Sequence, residues 1–526
     1  MIRTSRRGFI KTGIASGVAL ALPTAFAQAP AVVTSERSRP QSISGIQIGD
    51  VTGDRALLWS RSDRPARLVV ERSFYEDFRD VLRVRGPLAL ETSDYTARVD
   101  LTGLPPDREV FVRVMFEDVS NGRATSEPIA GRFRTPPATR RDVVFAWSGD
   151  TAGQGWGINP EWGGMKCYEA VRRDRPDFFI HCGDTIYADG PISAEVKLAD
   201  GSLWKNLVTE EVSKVAETLK EFRGRYAYNL MDENVRRLGA EVPQIWQWDD
   251  HEVMNNWSDA KDISADKRYT EKNVPLLVAR ATRAFLEYAP LRYHGADESE
   301  RVYRKIAYGP LLDVFMLDMR SYRGPNSYNR QETRGHESDF IGPQQLAWLK
   351  DELARSKALW KIVSADMPLS LLVNDGKDAR GRDMFEAVAN GDGPPLGREF
   401  EFADLFRTLK RSKVRNVAWI TADVHYCAAH YYDPAKAQFT EFDPFWEFVS
   451  GPIHAGGFGP NTLDNTFGPQ VVFQKAPEGR ANVPPAEGGQ FYGLVRIDAK
   501  TGALKVALKD LSGATLYEKA LPPEKA

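Results

Sequence analysis

The chain has 526 residues, too many for one ordinary domain, and its 70 Lys and Arg against 72 Asp and Glu leave a formal net charge of -2. That balance gives no sign of a nucleic-acid partner, and none is expected. Hydrophobic residues make up 42% and aromatic residues 11%, enough for a large core, while no apolar run of about 18 residues exists to span a bilayer. A soluble two-domain protein is expected, and Cys167, Cys182 and Cys427 are too few for a disulfide framework; they read as buried free thiols, with one bridge left open.

In chain order, residues 1–27 read as a removable export signal: "TSRRGFIK" leads into a modestly apolar stretch, and Ala25-Phe26-Ala27 is a small-x-small cleavage site. The Arg6-Arg7 pair followed by Gly8, Phe9 and Lys11 resembles the twin-arginine signal. That resemblance implies the twin-arginine translocase as a partner during export and a periplasmic or secreted destination. Residues 41–135 carry short alternating runs, among them "RALLWSRS", "ARLVVERS" and "EVFVRVMFED", separated by turn residues at the spacing of a β-sandwich. The segment 96–114 resembles an immunoglobulin or fibronectin type III strand pair, with Leu101 and Leu104 as core leucines. Pro136-Pro137 closes this small all-β domain.

Residues 141–520 change to longer alternating elements. Strands are expected at 142–150, 177–184 and 243–252, with helices near 164–174, over 203–237 and at 275–288. A hairpin 302–309 and 311–320, a helix 342–357, a strand 360–368, a helix 400–411 and strands 414–426, 445–453 and 492–499 follow. The pattern predicts an α/β fold, a layered sandwich of mixed sheets flanked by helices.

Five of these strands end in chemistry: Asp150; Asp184 with Tyr187; Asp249, Asp250, His251, Asn255 and Asn256; Asp366; and Asp423 with His425. In open α/β sheets the carboxyl ends of strands face the ligand crevice. A single acid there is an ordinary turn or cap residue. Four or five on one edge repel by roughly several kcal/mol unless a cation lies between them. Carboxylates with imidazoles and a phenolate suit iron(III), manganese, zinc or calcium. Asp423 and His425, two apart on an extended strand end, are expected on one face. A carboxylate shared by two ions would bridge them, with a shared water as the hydroxide nucleophile.

The blocks "SGD", "GDTIY", "WDDHEVMNN" and "ADVHY", in this order behind a β-sandwich and a twin-arginine-like signal, resemble the alkaline phosphatase D (PhoD-like) branch of the calcineurin-like metallophosphoesterases over nearly the whole mature chain. The resemblance implies a metal-dependent hydrolase of small phosphate esters, phosphomonoesters first, with two or more metal ions. It implies Asp150 and Tyr187 on the first metal, Asp184 bridging, Asp250 or Asn255 on the second, His251 near the leaving group, Asp423 on the second metal and His425 on the first. Iron and calcium are implied as the ions. Members of the branch place a cysteine on the first strand, however, where this chain has Ser148-Gly149-Asp150, which keeps zinc and manganese open. A histidine of the wider superfamily is also absent, and Asp366 stands as its substitute.

Arg320 reads either as a phosphate clamp or as the ion-pair partner of Asp318 or another acid. His294, His336, His430 and His454 read as hydrogen-bonding surface or core residues, and Cys182 as a core thiol. The glycine-rich 450–461 segment is expected as a loop near the metal edge. Trp156, Trp162 and Trp257 are expected either in the core or along the cleft. Two rivals remain: a phosphodiesterase or phospholipase-D-like enzyme, and an extracytoplasmic binding protein holding structural calcium. Tyr187, His251 and His425 argue against the second, since structural calcium prefers oxygen ligands.

Overall fold

The computed structural model describes residues 39–293, 300–477 and 479–524, so the export signal with Arg6 and Arg7, and His294, lie outside the described residues. Side-chain alternation decides the layers. Along Val143–Ser148, Phe145 and Trp147 face one way and Ala146 the other; along Phe178–His181, Phe178 and Ile180 oppose Phe179. Phe145, Trp147, Phe178 and Ile180 meet Met316, Ile362, Ile420 and Phe448 of a second sheet in a shared core. Ala146 and Phe179 pack instead under the helices Lys166–Arg173, Leu219–Asn229, Glu233–Glu241 and Val274–Tyr288. On the far side of the second sheet, Phe315, Val363 and Trp419 pack against the helices Gly342–Arg355 and Glu399–Arg411. The result is helix, sheet, sheet, helix, the layered sandwich the sequence predicts.

Within the first sheet, Val143–Ser148, Phe178–His181 and Gln244–Trp246 run parallel; within the second, Leu312–Met316, Trp360–Ser364, Val417–Thr421 and Phe445–Ser450 do. The carboxyl ends of both sets meet at one edge. There Ile453 N–H donates to the Gly149 carbonyl at 2.7 Å and His454 N–H to that of Asp150 at 3.0 Å.

The N-terminal sandwich has its own core of Ile46, Leu58, Leu68, Val99, Val112 and Phe133, with Leu101 and Leu104 buried. Its strands Ser42–Thr52, Arg55–Ser62 and Thr96–Leu101 nonetheless extend the first large sheet, Gly49 pairing in parallel with Gln244. Trp59 Nε1 donates to the Glu287 carbonyl at 2.8 Å, Arg98 reaches the Leu291 carbonyl at 3.0 Å, and Arg304 pairs with buried Asp50 at 2.8 Å. These contacts join the two parts along one sheet.

Two local expectations change. The stretch 203–237 is not one helix: Thr218 and Glu221 form a capping box that starts a helix at Leu219, Asp232 caps a second at Glu233, and Leu203–Lys205 is a short strand. The strand expected through Tyr426 ends at Thr421, and a new one, Cys427–Tyr432, returns antiparallel to Phe445–Ser450. Among the described residues, no helix is long and apolar enough to cross a membrane.

Candidate metal centre

The backbone at the edge is shaped for close approach. Asp150, Asp184 and Asp423 have φ of 67°, 52° and 63°, a left-handed conformation that side-chain-bearing residues hold at a cost of about 1 kcal/mol or more each. Gly183, at φ 114°, turns the chain beside Asp184, and a Cβ there would lie 2.5 Å from Asp249 Cβ. A Cβ on Gly451 would lie 2.2 Å from Asp150 Oδ2. Asp150 N–H donates to the Gly183 carbonyl, Thr151 N–H to that of Asp184, and His251 N–H to Asp184 Oδ1 at 3.1 Å.

The side chains converge in three overlapping groups, each with ligand atoms within 4.8 Å of one another: Asp150, Asp184 and His425; Asp184, Asp250 and His251; Asp249, Asp250 and Asp423. Asp184 and Asp250 each belong to two. His425 Nε2 lies 3.6 Å from Asp150 Oδ1 and 2.8 Å from Tyr187 Oη, while its Nδ1–H donates to the Gly456 carbonyl. In a neutral imidazole that leaves Nε2 as the lone-pair atom, turned to the acids. The Tyr187 ring stacks on His251 with centroids 4.2 Å apart. His251 Nδ1 lies 2.7 Å from Asp189 Oδ1, and its Nε2 3.9 Å from Asp250 Oδ1.

The electrostatics of these groups fit a cation. Both Asp150 carboxylate oxygens, Asp249 Oδ2 and Asp250 Oδ1 are buried with no hydrogen-bond partner. Burial pushes Asp184 and Asp423 well above the usual carboxylate range, and the neighbouring acids push them further. Burial, with Asp184 and Asp150 alongside, likewise raises the Tyr187 phenol well above its ordinary value. Full ionisation of this edge requires positive charge among the oxygens, and the donor set of carboxylates, imidazoles and a phenol suits hard or borderline metal ions.

Asp150, Asp184, Tyr187, Asp250, His251, Asp423 and His425 therefore lie together. Asn255 is exposed; its backbone N–H donates to Asp189 Oδ2 at 2.9 Å, and neighbouring Asn256 N–H donates to Asp250 Oδ2. Asp423 and His425 do not lie on an extended strand end as expected, because the strand closes at Thr421. The segment between the strands folds through tight turns, Val424 N–H to the Ala422 carbonyl at 2.7 Å and Tyr426 N–H to that of Val424 at 2.8 Å, and the two residues enter different groups.

Arg320 as a phosphate clamp is corrected. Its side chain is fully buried; it donates from Nε to Asp249 Oδ1 at 2.5 Å, pairs with Glu386, and lies 3.4 Å from Asp366, leaving no face of the fork for a substrate. Asp318, the acid the sequence suggested by name, accepts the Arg320 backbone N–H instead, at 3.0 Å. Asp366 thus lies against Arg320 and Asp249, and is not itself a member of the three groups.

Among the described residues the three cysteines are free and buried. His336 pairs with Asp259, His430 with Glu447, and His454 with the Gly157 carbonyl. The 450–461 loop lies against the centre, with the Phe458 ring 4.5 Å from that of His425. Trp156 and Trp257 are buried, and Trp162 packs on Trp204 at 5.1 Å. Sequence reasoning missed Asp189 and also Glu252, whose Oε1 accepts both Thr185 N–H and Oγ1–H at 2.6 Å and whose Oε2 accepts Asp249 N–H at 2.8 Å. The signal for Glu252 was an extra acid inside "WDDHEVMNN", and for Asp189 an acid two residues past "GDTIY".

Comparison with known proteins agrees with this geometry. Residues 145–508 match the PhoD-like phosphatase family and residues 27–137 the N-terminal domain of PhoD-like phosphatases. Alkaline phosphatase D of Bacillus subtilis (strain 168) is 27% identical over 443 residues, covering 80% of this chain and 71% of the relative. A solved structure of PhoD superposes with a TM-score of 0.68 at 21% identity, covering 93% of this chain and 90% of that one. Purple acid phosphatase PPD1 from yellow lupin shares the fold at a TM-score of 0.56 and 13% identity, over 92% of this chain and 74% of that one. With the family match running through every strand end that carries an acid of the centre, the chain belongs to the PhoD-like phosphatase family and is a phosphatase.

Proposed function

We propose that this phosphatase hydrolyses phosphomonoesters at a centre of two or more metal ions, with Asp150, Tyr187 and His425 around the first, Asp250 and Asp423 around the second, and Asp184 between them. The observation that carries the reading is the double membership of Asp184, which lies with Asp150 and His425 on one side and with Asp250 and His251 on the other. Bound cations would neutralise the phosphate oxygens and make a water acidic enough to serve as nucleophile. The chain's own part is to hold these groups in place. The left-handed turns at Asp150, Asp184 and Asp423 aim their carboxylates inward, and the Gly456 carbonyl keeps His425 Nε2 towards the acids. His251, with its side chain 16% exposed, faces the ester oxygen that departs.

The buried, unpartnered Asp250 Oδ1 favours Asp250 over Asn255 as the second-site ligand. Family resemblance favours iron and calcium, and Ser148 in place of a first-strand cysteine keeps zinc and manganese as alternatives. The alkaline range is carried over from the named relative, and twin-arginine export to the periplasm or medium rests on Arg6-Arg7. Turnover of p-nitrophenyl phosphate and bis-p-nitrophenyl phosphate, across a metal panel and with bound metal counted, tests the reading. A metal-dependent preference of about tenfold or more for the monoester is expected. A faster diester would replace the substrate class, and metal-independent turnover would remove the metal reading.

A further inference from the structure

Asn256 closes the loop that begins at Asp250. Its backbone is left-handed, at φ 54°, and its N–H donates to Asp250 Oδ2, so the chain takes one carboxylate oxygen while Oδ1 stays buried without a partner. A side-chain-bearing residue keeps such a conformation only when its surroundings hold it. Here the hold comes from far along the chain. Asn256 Nδ2 donates to Asp375 Oδ1 at 3.0 Å, across 119 residues, and the Asn256 carbonyl accepts Asn326 Nδ2 at 2.9 Å. Asn326 Nδ2 also donates to Asp375 Oδ2 at 2.8 Å, and Asn326 Oδ1 accepts from Arg323 at 2.9 Å and from Arg398 at 3.0 Å. Asp375 belongs to the short hairpin of Asn374–Lys377 with Asp383–Phe385; its neighbours Asn374, Gly376 and Lys377 are exposed, whereas its own side chain is 15% exposed and turned inward. Lys261 Nζ, 3.2 Å from Asp375 Oδ1, balances its charge.

We propose that Asp375 is a positioning residue for the second metal site: with Asn326 it fixes Asn256 by side chain and carbonyl, so that the Asn256 N–H takes Asp250 Oδ2 and leaves Oδ1 to the ion. The inference rests on the two-site reading of the centre. Groups that orient a ligand in this way set metal affinity without touching the metal. The rival role for Asp375 is to pin the hairpin to the body of the protein, which would not favour one metal site over the other.

Equilibrium dialysis of the metal-stripped protein against manganese(II) separates the two roles, and the binding step that persists in His425→Ala is that of the second site. Asp375→Ala should weaken this step about tenfold or more and the other step less than about threefold. Lys261→Met removes the charge beside Asp375 but keeps both amide bonds, and should leave both steps within about threefold of the wild type. In an Asn256→Gly background, where a φ of 54° is kept without strain and no side chain is left to hold, Asp375→Ala should add less than about twofold. If Asp375→Ala does not fold, Asp375→Asn, with one acceptor oxygen for two amide donors, should weaken the second step about fivefold. Equal weakening of both steps, no weakening, the same loss in Lys261→Met, or a full effect persisting in Asn256→Gly would overturn the positioning role and leave the two-site reading standing. A wild-type protein that binds fewer than two metal ions would remove that reading and this inference with it.

Discussion

Two clusters of buried charge lie side by side at the carboxyl edge, and they are built oppositely. In one, Arg320 and Arg323 share Glu386, and Arg320 also holds Asp249 and approaches Asp366. Burial alone would raise Glu386, but the two guanidinium groups outweigh it and bring the carboxyl to about 2. In the other, Asp150, Asp184, Asp250 and Asp423 have no arginine among their contacts, and burial drives Asp184 and Asp423 well above the usual range. Asp366 lies between these extremes: burial outweighs Arg320 and pushes it up to about 6. Asp249 joins the two clusters: it is held by Arg320 yet belongs to the third metal group, and burial outweighs the guanidinium and pushes it well above the usual range. Glu386, with two guanidinium groups, is charge-balanced by the chain itself, whereas Asp150, Asp184, Asp250 and Asp423, with no arginine in hydrogen-bond or ion-pair contact, are left to receive a cation.

The sharpest way to break this contrast is Asp184→Asn. Activity should fall by about 1000-fold or more, and bound metal should drop, because the shared position needs a full negative charge. Wild-type turnover with metal content intact would show that the unbalanced cluster is not a metal site. On the balanced side, Arg320→Met should destabilise the fold by about 3–5 kcal/mol in a urea titration, since it leaves Asp249 buried without a counter-charge and Glu386 with Arg323 alone. A loss under about 1 kcal/mol would mean that the pairing is not what tolerates those charges.

Chelation sharpens the comparison further. Metal at about 100 times its Kd should stabilise the wild type by about 2.7 kcal/mol over the stripped protein, whereas Asp184→Asn should melt alike with and without metal. Glu401 offers a control with burial but neither device. It accepts Phe340 and Ile341 N–H at 3.0 and 2.8 Å, the nearest charge is Arg334 at 3.6 Å, and burial pushes it up to about 7. A raised carboxyl keeps in the folded state a proton the unfolded chain has already lost, so its stabilisation is full below the unfolded value and drains away as pH rises to about 7. Glu401→Gln should therefore gain about 2 kcal/mol on the wild type between pH 5 and pH 8. A pH-independent difference between the two proteins would contradict the burial account.

Much of the centre was legible because its parts are local. Gly183-Asp184, Ser148-Gly149-Asp150 and "WDDHE" announce themselves by a strand pattern ending in a turn and an acid, and period-two alternation separates the strand faces before any packing is known. The hairpin Arg304–Ala307 with Leu312–Met316 and the helices Val274–Tyr288, Gly342–Arg355 and Glu399–Arg411 follow from the same local signals. The strand Cys427–Tyr432 did not, because the two tight turns before it look, in sequence, like continued alternation.

The sequence by itself determined where most of the strands run, that acids follow their ends, and that two kinds of sheet region follow one another in the chain. Tertiary structure alone decided which acids receive a guanidinium and which stay open: Arg320 meets Asp249 across 71 residues, Glu386 across 66, and Tyr187 meets His425 across 238. It also decided that Asp189 would reach His251, 62 residues away. The physical reason is range. Turn chemistry and side-chain period act over a few residues, whereas the partner of a buried charge depends on which strands become neighbours, and that is set by the packing of two whole sheets.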